Sequence, residues 1–280
     1  MPYTVSICVR LFGNKNNMYP YITVFERTIP TYGLCMTCGI LLCFLSMRVY
    51  TRSHGIRYQE EGAYDLAFIW GVIGAIVGAK ILYLITVLPS FLTDLPQLIS
   101  SPVPFLDTYF KGGFVYYGGF YGVLLSIWIF SKAENLPIGQ LIYALLPGGI
   151  LAHSIGRVGC FMEGCCYGRP TQSRIGVIFT KSSIAPDNVP LIPVQLIEAG
   201  GEFLLFIIVL MMIRKGTKAQ RILSFYMIAY GCMRFALEFF RYDSYRGFIG
   251  PLSLSQLISI ITVILGIGIS FHGNDLSFKT

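Results

Sequence analysis

Runs of apolar residues, each broken by a short polar or proline-bearing stretch, follow one another through most of this 280-residue chain. A helix needs about 20 mostly apolar residues to cross the hydrocarbon core of a bilayer. Runs of that size occupy residues 29–47, 64–88, 137–155, 193–213, 222–240 and 251–271, and one more follows the glycines of residues 112–119 and ends near Phe130. The pattern predicts an all-α polytopic membrane protein with about seven transmembrane helices. Residues 89–112 hold Pro89, Pro96, Pro102 and Pro104 and cannot form one continuous helix, so a loop, partly re-entrant, is expected there. Residues 1–28 mix Arg10, Lys15, Glu26 and Arg27 with aromatics, the composition of an interfacial arm lying on the membrane. Residues 157–192 are polar and read as a small extracytoplasmic lobe, in which Arg174 to Thr180 alternates like a strand. The chain then divides into the arm, a single transmembrane domain over residues 29–271 and a short tail at 272–280.

Composition agrees with that division: hydrophobic residues make up 54% and charged residues only 12%, about half the charged share of a soluble domain. The formal net charge of +7 could suit nucleic acid, but no basic soluble module carries it. In a multispanning chain Lys and Arg gather in loops, where they set topology and meet anionic headgroups. The tightest clusters beside spans are Arg48, Arg52 and Arg57, and Arg214, Lys215, Lys218 and Arg221. With these in the cytoplasm, the C-terminus lies there too, and the N-terminus and polar lobe lie outside. The first 28 residues lack the short apolar core of a cleavable signal peptide, so the arm is expected to stay on the protein.

Several residues within the spans carry more than packing. Gly71, Gly74, Gly78 and Ala79 form a small face against which another helix can lie closely. Lys80 beside them needs a partner, water or a route to the interface, and snorkelling and a lipid-phosphate contact are both open. The doublets Gly112-Gly113 and Gly118-Gly119 flank Tyr116 and Tyr117 and suggest a close backbone approach to a ligand. Further polar groups gather at the outward ends of spans: His153 with Arg157, Gln195 with Glu198, and Arg234 with Glu238 and Arg241. Spacings of three and four residues place each set on one helix face. One reading is an Arg234–Glu238 salt bridge that merely holds helices together. The other rests on stoichiometry, because Arg157, Arg169, Arg234 and Arg241 outnumber nearby carboxylates and surplus guanidinium groups suit a phosphate. In a membrane the abundant phosphate is a lipid headgroup.

The stretch Gly156-Arg157-Val158-Gly159-Cys160-Phe161-Met162-Glu163-Gly164-Cys165-Cys166-Tyr167-Gly168 resembles the signature of the prolipoprotein diacylglyceryl transferases, in which Gly-Arg-x-Gly-Asn-Phe is followed by Asn, Gly, Glu and a further Gly. Tyr32-Gly33-Leu34 resembles that family's first-helix Tyr-Gly, and the glycine doublets around Tyr117 resemble its Gly-Gly-x-x-x-His-Gly-Gly element. Pro193-Val194-Gln195-Leu196-Ile197-Glu198 resembles its His-Pro-x-Gln-x-x-Glu, and Tyr230-Gly231, Arg234-Phe235 and Glu238-Phe239-Phe240-Arg241 resemble its late Tyr-Gly-x-x-Arg-Phe-x-x-Glu-Phe-x-Arg. The resemblance implies a multi-pass enzyme of the bacterial inner membrane. It would move a diacylglyceryl group from phosphatidylglycerol to the lipobox cysteine thiol of a preprolipoprotein and release glycerol phosphate, with no cofactor or metal. Carried over by position, Arg157 and Arg234 would hold and stabilise phosphate, while Tyr32, Gln195, Glu198 and Glu238 would order the site. Gly118, Gly119, Arg169 and Arg241, read above from the glycine doublets and the surplus of guanidinium groups, complete the candidate substrate-binding set.

The chain departs from that pattern where Cys160 stands for its Asn, Cys165 for its Glu, Tyr117 for its His and Tyr143 opposite its aspartate. A neutral tyrosine is a poor base at pH 7, so His153, one turn before Arg157, joins Tyr117 as a candidate for the proton transfer. Other readings are a lipid-binding or thiol-handling protein on the same scaffold, or a transferase with another donor or acceptor. Cys160, Cys165 and Cys166 allow a disulfide from Cys160 to either neighbour, reduced buried thiols, a metal site with His153, or a redox or acyl-carrier role, although Cys-x4-Cys-Cys is no recognised zinc spacing. Cys43 and Cys232 read as small buried hydrophobes.

Overall fold

The computed structural model describes residues 20–24, 27–56, 58–110, 112–179, 182, 184–242 and 247–271. Most of the expected interfacial arm, the tail at 272–280, and Arg57, Lys111 and Lys181 lie outside the described residues. The part of the arm that is described is a short antiparallel hairpin, β1 (Tyr21–Val24) and β2 (Arg27–Pro30), which runs straight into α1 (Thr31–Ser53). Pro30 stands just before the first helical turn with extended backbone, and the amide of Thr31 donates to Pro20 O at 2.9 Å. A proline suits that place because it has no amide to leave unpaired.

After α2 (Tyr58–Thr86) the proline-rich stretch breaks into α3 (Leu88–Asp94), α4 (Gln97–Ser100) and α5 (Pro102–Phe110). Pro89, Pro96 and Pro102 each stand at the start of one of these short helices, where the missing amide costs nothing. The Tyr109 hydroxyl donates to Asp94 Oδ2 at 2.6 Å and folds α5 back on α3. Lys80 neither snorkels nor waits for a lipid: its ammonium donates to the carbonyls of Tyr109 (3.1 Å), Phe110 (3.4 Å) and Gly112. A cation there balances the partial negative charge of the α5 C-terminus.

Then come α6 (Tyr116–Ala133), α7 (Ile138–Glu163), the two-residue strands β3 (Val177–Ile178) and β4 (Pro190–Leu191), α8 (Val194–Arg214), α9 (Ala219–Glu238), the hairpin of β5 (Phe248–Ile249) and β6 (Leu252–Ser253), and α10 (Leu254–Phe271). The protein is mostly helical, and among the described residues five helices, α1, α2, α7, α8 and α10, are long and apolar enough to cross a membrane. Leu41 and Leu45 of α1, Ile69, Trp70 and Ile73 of α2, and Ile264 of α10 are exposed, as befits faces whose solvent is lipid. By contrast α9 buries Ile222, Tyr226, Tyr230, Arg234 and Glu238 against its neighbours, so Arg234 and Glu238 are shielded from lipid.

Close helix contact rests on small residues. Along the seam of α1 with α7, a Cβ added to Gly39 would come 3.1 Å from Ala152 O, one on Gly148 2.8 Å from Cys43 Cα, and one on Gly159 3.0 Å from Cys35 Cβ. Gly74 and Gly78 of α2 meet Gly118 and Gly122 of α6 in the same way, the close approach that small residues permit. α7 runs two turns beyond the expected end of its span and stops at Gly164, whose φ of 80° is left-handed. Arg157 therefore belongs to a membrane helix and not to the polar lobe. The pairs α1–α7 and α2–α6 stand apart enough to enclose a cavity of 1610 Å³ between them.

Candidate active site

The apolar length of the cavity is lined by residues such as Phe68, Ile76, Val123, Leu141 and Leu145, and the polar end by Arg157, Arg234, Glu238 and Arg241. Three helices, α7, α8 and α9, deliver the charges. Arg157, near the end of α7, places Nη2 3.0 Å from Glu198 Oε1 on α8, and its Nε donates to His153 Nε2 at 3.3 Å. Arg234 of α9 brings Nε to 3.9 Å from the same Glu198 oxygen and Nη2 to 2.8 Å from Glu238 Oε2. Nη2 also donates to Ser255 Oγ of α10 at 3.3 Å. Arg241 Nη1 lies 3.7 Å from Glu238 Oε2. The Arg234–Glu238 pair lies within one helix, so it does not hold two helices together.

Arg157, Arg234, Glu198 and Glu238 are all buried. Charges so placed survive only when paired and hydrogen-bonded. Two guanidinium groups share Glu198, and Arg234 Nη1 is buried with no hydrogen-bond partner among the described residues. A donor orphaned at the wall of a cavity is a place for an anionic oxygen.

His153 has a partner that sequence reasoning missed. Its Nδ1 lies 3.0 Å from Glu202 Oε1, and its ring stacks on Tyr116 with centroids 3.7 Å apart. Glu202 is completely buried. The signal was present, since Glu202 follows Glu198 by four residues and so shares its helix face. Tyr116, Tyr226 and Tyr230 complete this aromatic wall, and the Tyr230 hydroxyl donates to Glu198 Oε1 at 3.4 Å.

Other expected residues fall in different places. Tyr117 lines the cavity, but its hydroxyl is 2.6 Å from Ser259 Oγ and ties α6 to α10. Gly119 lines the cavity, whereas Gly118 faces Gly78 of α2. This corrects the reading of that doublet as a ligand approach, because one glycine of the pair serves helix contact. Tyr32 stands at the cavity on the first turn of α1. Gln195 is buried and donates from Nε2 to Cys165 O at 2.7 Å, so it positions the cysteine turn. Arg169 is exposed and outside the cavity wall. Its amide donates to Phe240 O at 2.8 Å, and its backbone role pins the loop while its guanidinium leaves the site.

Cys160, Cys165 and Cys166 are free thiols whose sulfurs all lie within 4.8 Å of one another at the cavity wall. Beyond the helix end, hydrogen bonds from the Cys160 and Cys165 thiols hold Cys166 well below the usual thiol range, and Arg241 and Arg157 add to this. Cys165, which donates to Cys160 and Cys166, is pushed up.

Residues 20–272 match the prolipoprotein diacylglyceryl transferase family. The chain belongs to that family. The match takes in every residue lining the cavity, from Tyr32 to Ile269. The chain is similar to a phosphatidylglycerol–prolipoprotein diacylglyceryl transferase of Clostridium tetani, 37% identical over 244 residues that cover 87% of this chain and 93% of the relative. A second enzyme so named, from Clostridium perfringens, is 38% identical over 87% of this chain and 91% of its own length. One from Cupriavidus pinatubonensis is 32% identical over 88% and 87%. Family membership and the apolar helices together make this a bacterial membrane protein.

Proposed function

We propose that the chain transfers the diacylglyceryl group of phosphatidylglycerol to a cysteine thiol of a prolipoprotein. The observation that carries this reading is the pair Arg157 and Arg234, which share Glu198 at the polar end of a long apolar cavity, with Arg234 Nη1 buried and unpaired. A phospholipid has the same division, with acyl chains for the apolar length and a phosphate for the guanidinium groups. Held between Arg157 and Arg234, the phosphate becomes a better leaving group, because charge that grows on its oxygen as the glyceryl C–O bond breaks is met by fixed cations. Arg157 turning toward the phosphate releases His153 Nε2, which takes the acceptor's proton while Glu202 at Nδ1 steadies the imidazolium. Tyr117, engaged with Ser259, shapes the pocket and does not move the proton.

Helix polarity supports seven crossings. The start of α1, the end of α2, the start of α6, the end of α7, the start of α8, the end of α9 and the start of α10 all contribute to the same end of the cavity. Strict alternation of that kind is what seven successive crossings produce. Arg48, Arg52, Arg214 and Lys215 sit at the other helix ends, which supports a cytoplasmic position for that side and an outward-facing site.

The test is the full chain in vesicles containing phosphatidylglycerol labelled in its acyl chains, mixed with a lipobox peptide. A thioether product and released glycerol phosphate are expected, and Arg157→Gln or Arg234→Gln should lower turnover by about 100-fold or more, the size of a lost transition-state donor. A folded wild type that binds phosphatidylglycerol and yields no thioether would sink the reading.

A further inference from the structure

The three cysteines remain outside this chemistry, yet their arrangement is built. Cys160 stands on the last turn of α7, Gly164 closes the helix at φ 80°, and Cys166 takes φ 58°. Residues other than glycine rarely adopt that region. The left-handed turn carries the chain back so that the thiols of Cys165 and Cys166 meet that of Cys160, and Gln195 fixes the turn through Cys165 O at 2.7 Å. We propose that Cys160, Cys165 and Cys166 form a three-thiolate site for zinc(II), whose open fourth position faces the cavity and takes the acceptor thiol.

The fit is geometric. Zinc bonds thiolate sulfur at about 2.3 Å in a tetrahedron, which sets the sulfurs about 3.8 Å apart, and the three here lie within 4.8 Å before any metal draws them in. A disulfide would use two sulfurs and leave the third without a purpose, whereas three sulfurs converging on a point suit an ion. Three thiolates and one Zn²⁺ carry a net charge of about −1, and Arg157 and Arg241 on the same cavity wall offset it. The spacing in sequence matches no familiar zinc pattern because a helix end and a left-handed turn, not a knuckle, bring the ligands together.

The role rests on the transferase reading. The acceptor thiol binds zinc through sulfur and gives up its proton to His153. The zinc-held thiolate attacks the glyceryl carbon of phosphatidylglycerol and forms a C–S bond. The C–O bond to phosphate breaks, and glycerol phosphate departs with the electron pair. A nucleophile bound at the fourth position of a three-ligand zinc site is activated at neutral pH, with His153 taking its proton.

The experiment uses the full chain purified in detergent from zinc-replete cells, with metal content measured by mass spectrometry. About one zinc per chain is expected, with X-ray absorption giving three sulfur neighbours at about 2.3 Å and a fourth on addition of a cysteine-bearing lipobox peptide. Cys160→Ser, Cys165→Ser and Cys166→Ser should each lose most of the metal, and Arg157→Gln should keep it while losing transfer. Should the serine variants misfold, wild type stripped with chelator and reloaded with cobalt(II) gives an independent reading, since thiolate-to-cobalt charge-transfer bands are then expected. Three titratable thiols with no zinc after reconstitution, a disulfide between any two of them, or copper in place of zinc overturns the site. Zinc-free wild type that still makes thioether overturns the zinc role and leaves the transferase reading intact. Zinc bound without any phosphatidylglycerol-dependent product leaves the ion site standing and removes both the transferase reading and the acceptor's place on the metal.

Discussion

Glu198 is the residue on which the charge balance of the site turns. Its Oε1 lies 3.0 Å from Arg157 Nη2 and 3.9 Å from Arg234 Nε, and all three side chains are buried. Glu198→Gln keeps the shape and removes the charge, and breaking a buried pair from one side costs about 3–5 kcal/mol. The variant should therefore melt lower and make almost no product. Added phosphatidylglycerol should raise its midpoint by more than it raises that of the wild type, because the phosphate supplies the missing anion. Thermal scans in neutral detergent with and without the lipid decide this, and equal shifts would show that the headgroup does not sit between the arginines. Glu202→Gln separates a second role: with its charge gone from the 3.0 Å contact to His153, kcat should fall by about 10-fold or more while KM for phosphatidylglycerol stays, since proton transfer is weakened and phosphate binding is not. A rise in KM alone would instead assign Glu202 to lipid binding.

At the scale of elements, the positions of the long helices were legible because lipid as solvent makes periodicity unnecessary and length decisive. Their ends were less so. The span entering Arg157 was expected to finish near residue 155, yet α7 continues to Glu163, because polar residues there meet α8 and α9 and not lipid or water. Arg157, Arg234, Glu198 and Glu238 were recognisable as charges at helix ends, whereas Glu202 was overlooked although it lies one turn beyond Glu198. Gly118 was misread since a glycine that admits a ligand and one that admits a helix look alike in a sequence. The hairpin before α1 was invisible because its four-residue strands carry no strong alternation. Close packing of α1 on α7 has its own consequence. A Cβ on Gly159 would sit 3.0 Å from Cys35 Cβ and 3.3 Å from Tyr32 Cδ2, so Gly159→Val should push the start of α1 off the site. Overpacking of this kind costs about 1–3 kcal/mol, and the measured result should be a lower melting midpoint together with a raised KM for the lipid. Gly200→Ala on α8, with nothing within 4 Å of its added Cβ and outside the cavity lining, is the control and should leave both values unchanged.

For the whole molecule, the decisive quantity is which side of the membrane each helix end occupies. The site gathers helix ends that alternate along the chain, and the basic residues Arg48, Arg52, Arg214, Lys215, Lys218 and Arg221 lie away from it at the opposite ends or in the connection after α8. A chain that crosses seven times must then carry residues 164–193 and the connection at 215–218 on opposite faces. Positive residues close to short loops hold those loops in the cytoplasm, so phosphatase joined after Asp187 should be active outside, and phosphatase joined after Thr217 or after Phe271 should be inactive while a cytoplasmic reporter at the same places works. Replacing Lys215, Lys218 and Arg221 together by Gln should weaken that bias and yield a fraction of inverted chains without touching the cavity. Outward activity at Thr217 in the unaltered chain would overturn the orientation, and equal signals at Asp187 and Thr217 would overturn the crossing of α8 itself. The orientation also bears on the metal. With the site outside, its thiols would lie beyond the reducing cytosol, and a bound zinc ion would there keep three neighbouring cysteines from closing into a disulfide. Stripping zinc from intact cells' outer surface should therefore let two of Cys160, Cys165 and Cys166 close into a disulfide, seen as a loss of two alkylatable thiols per chain, whereas the same treatment of a chain with its site facing inward would leave all three free.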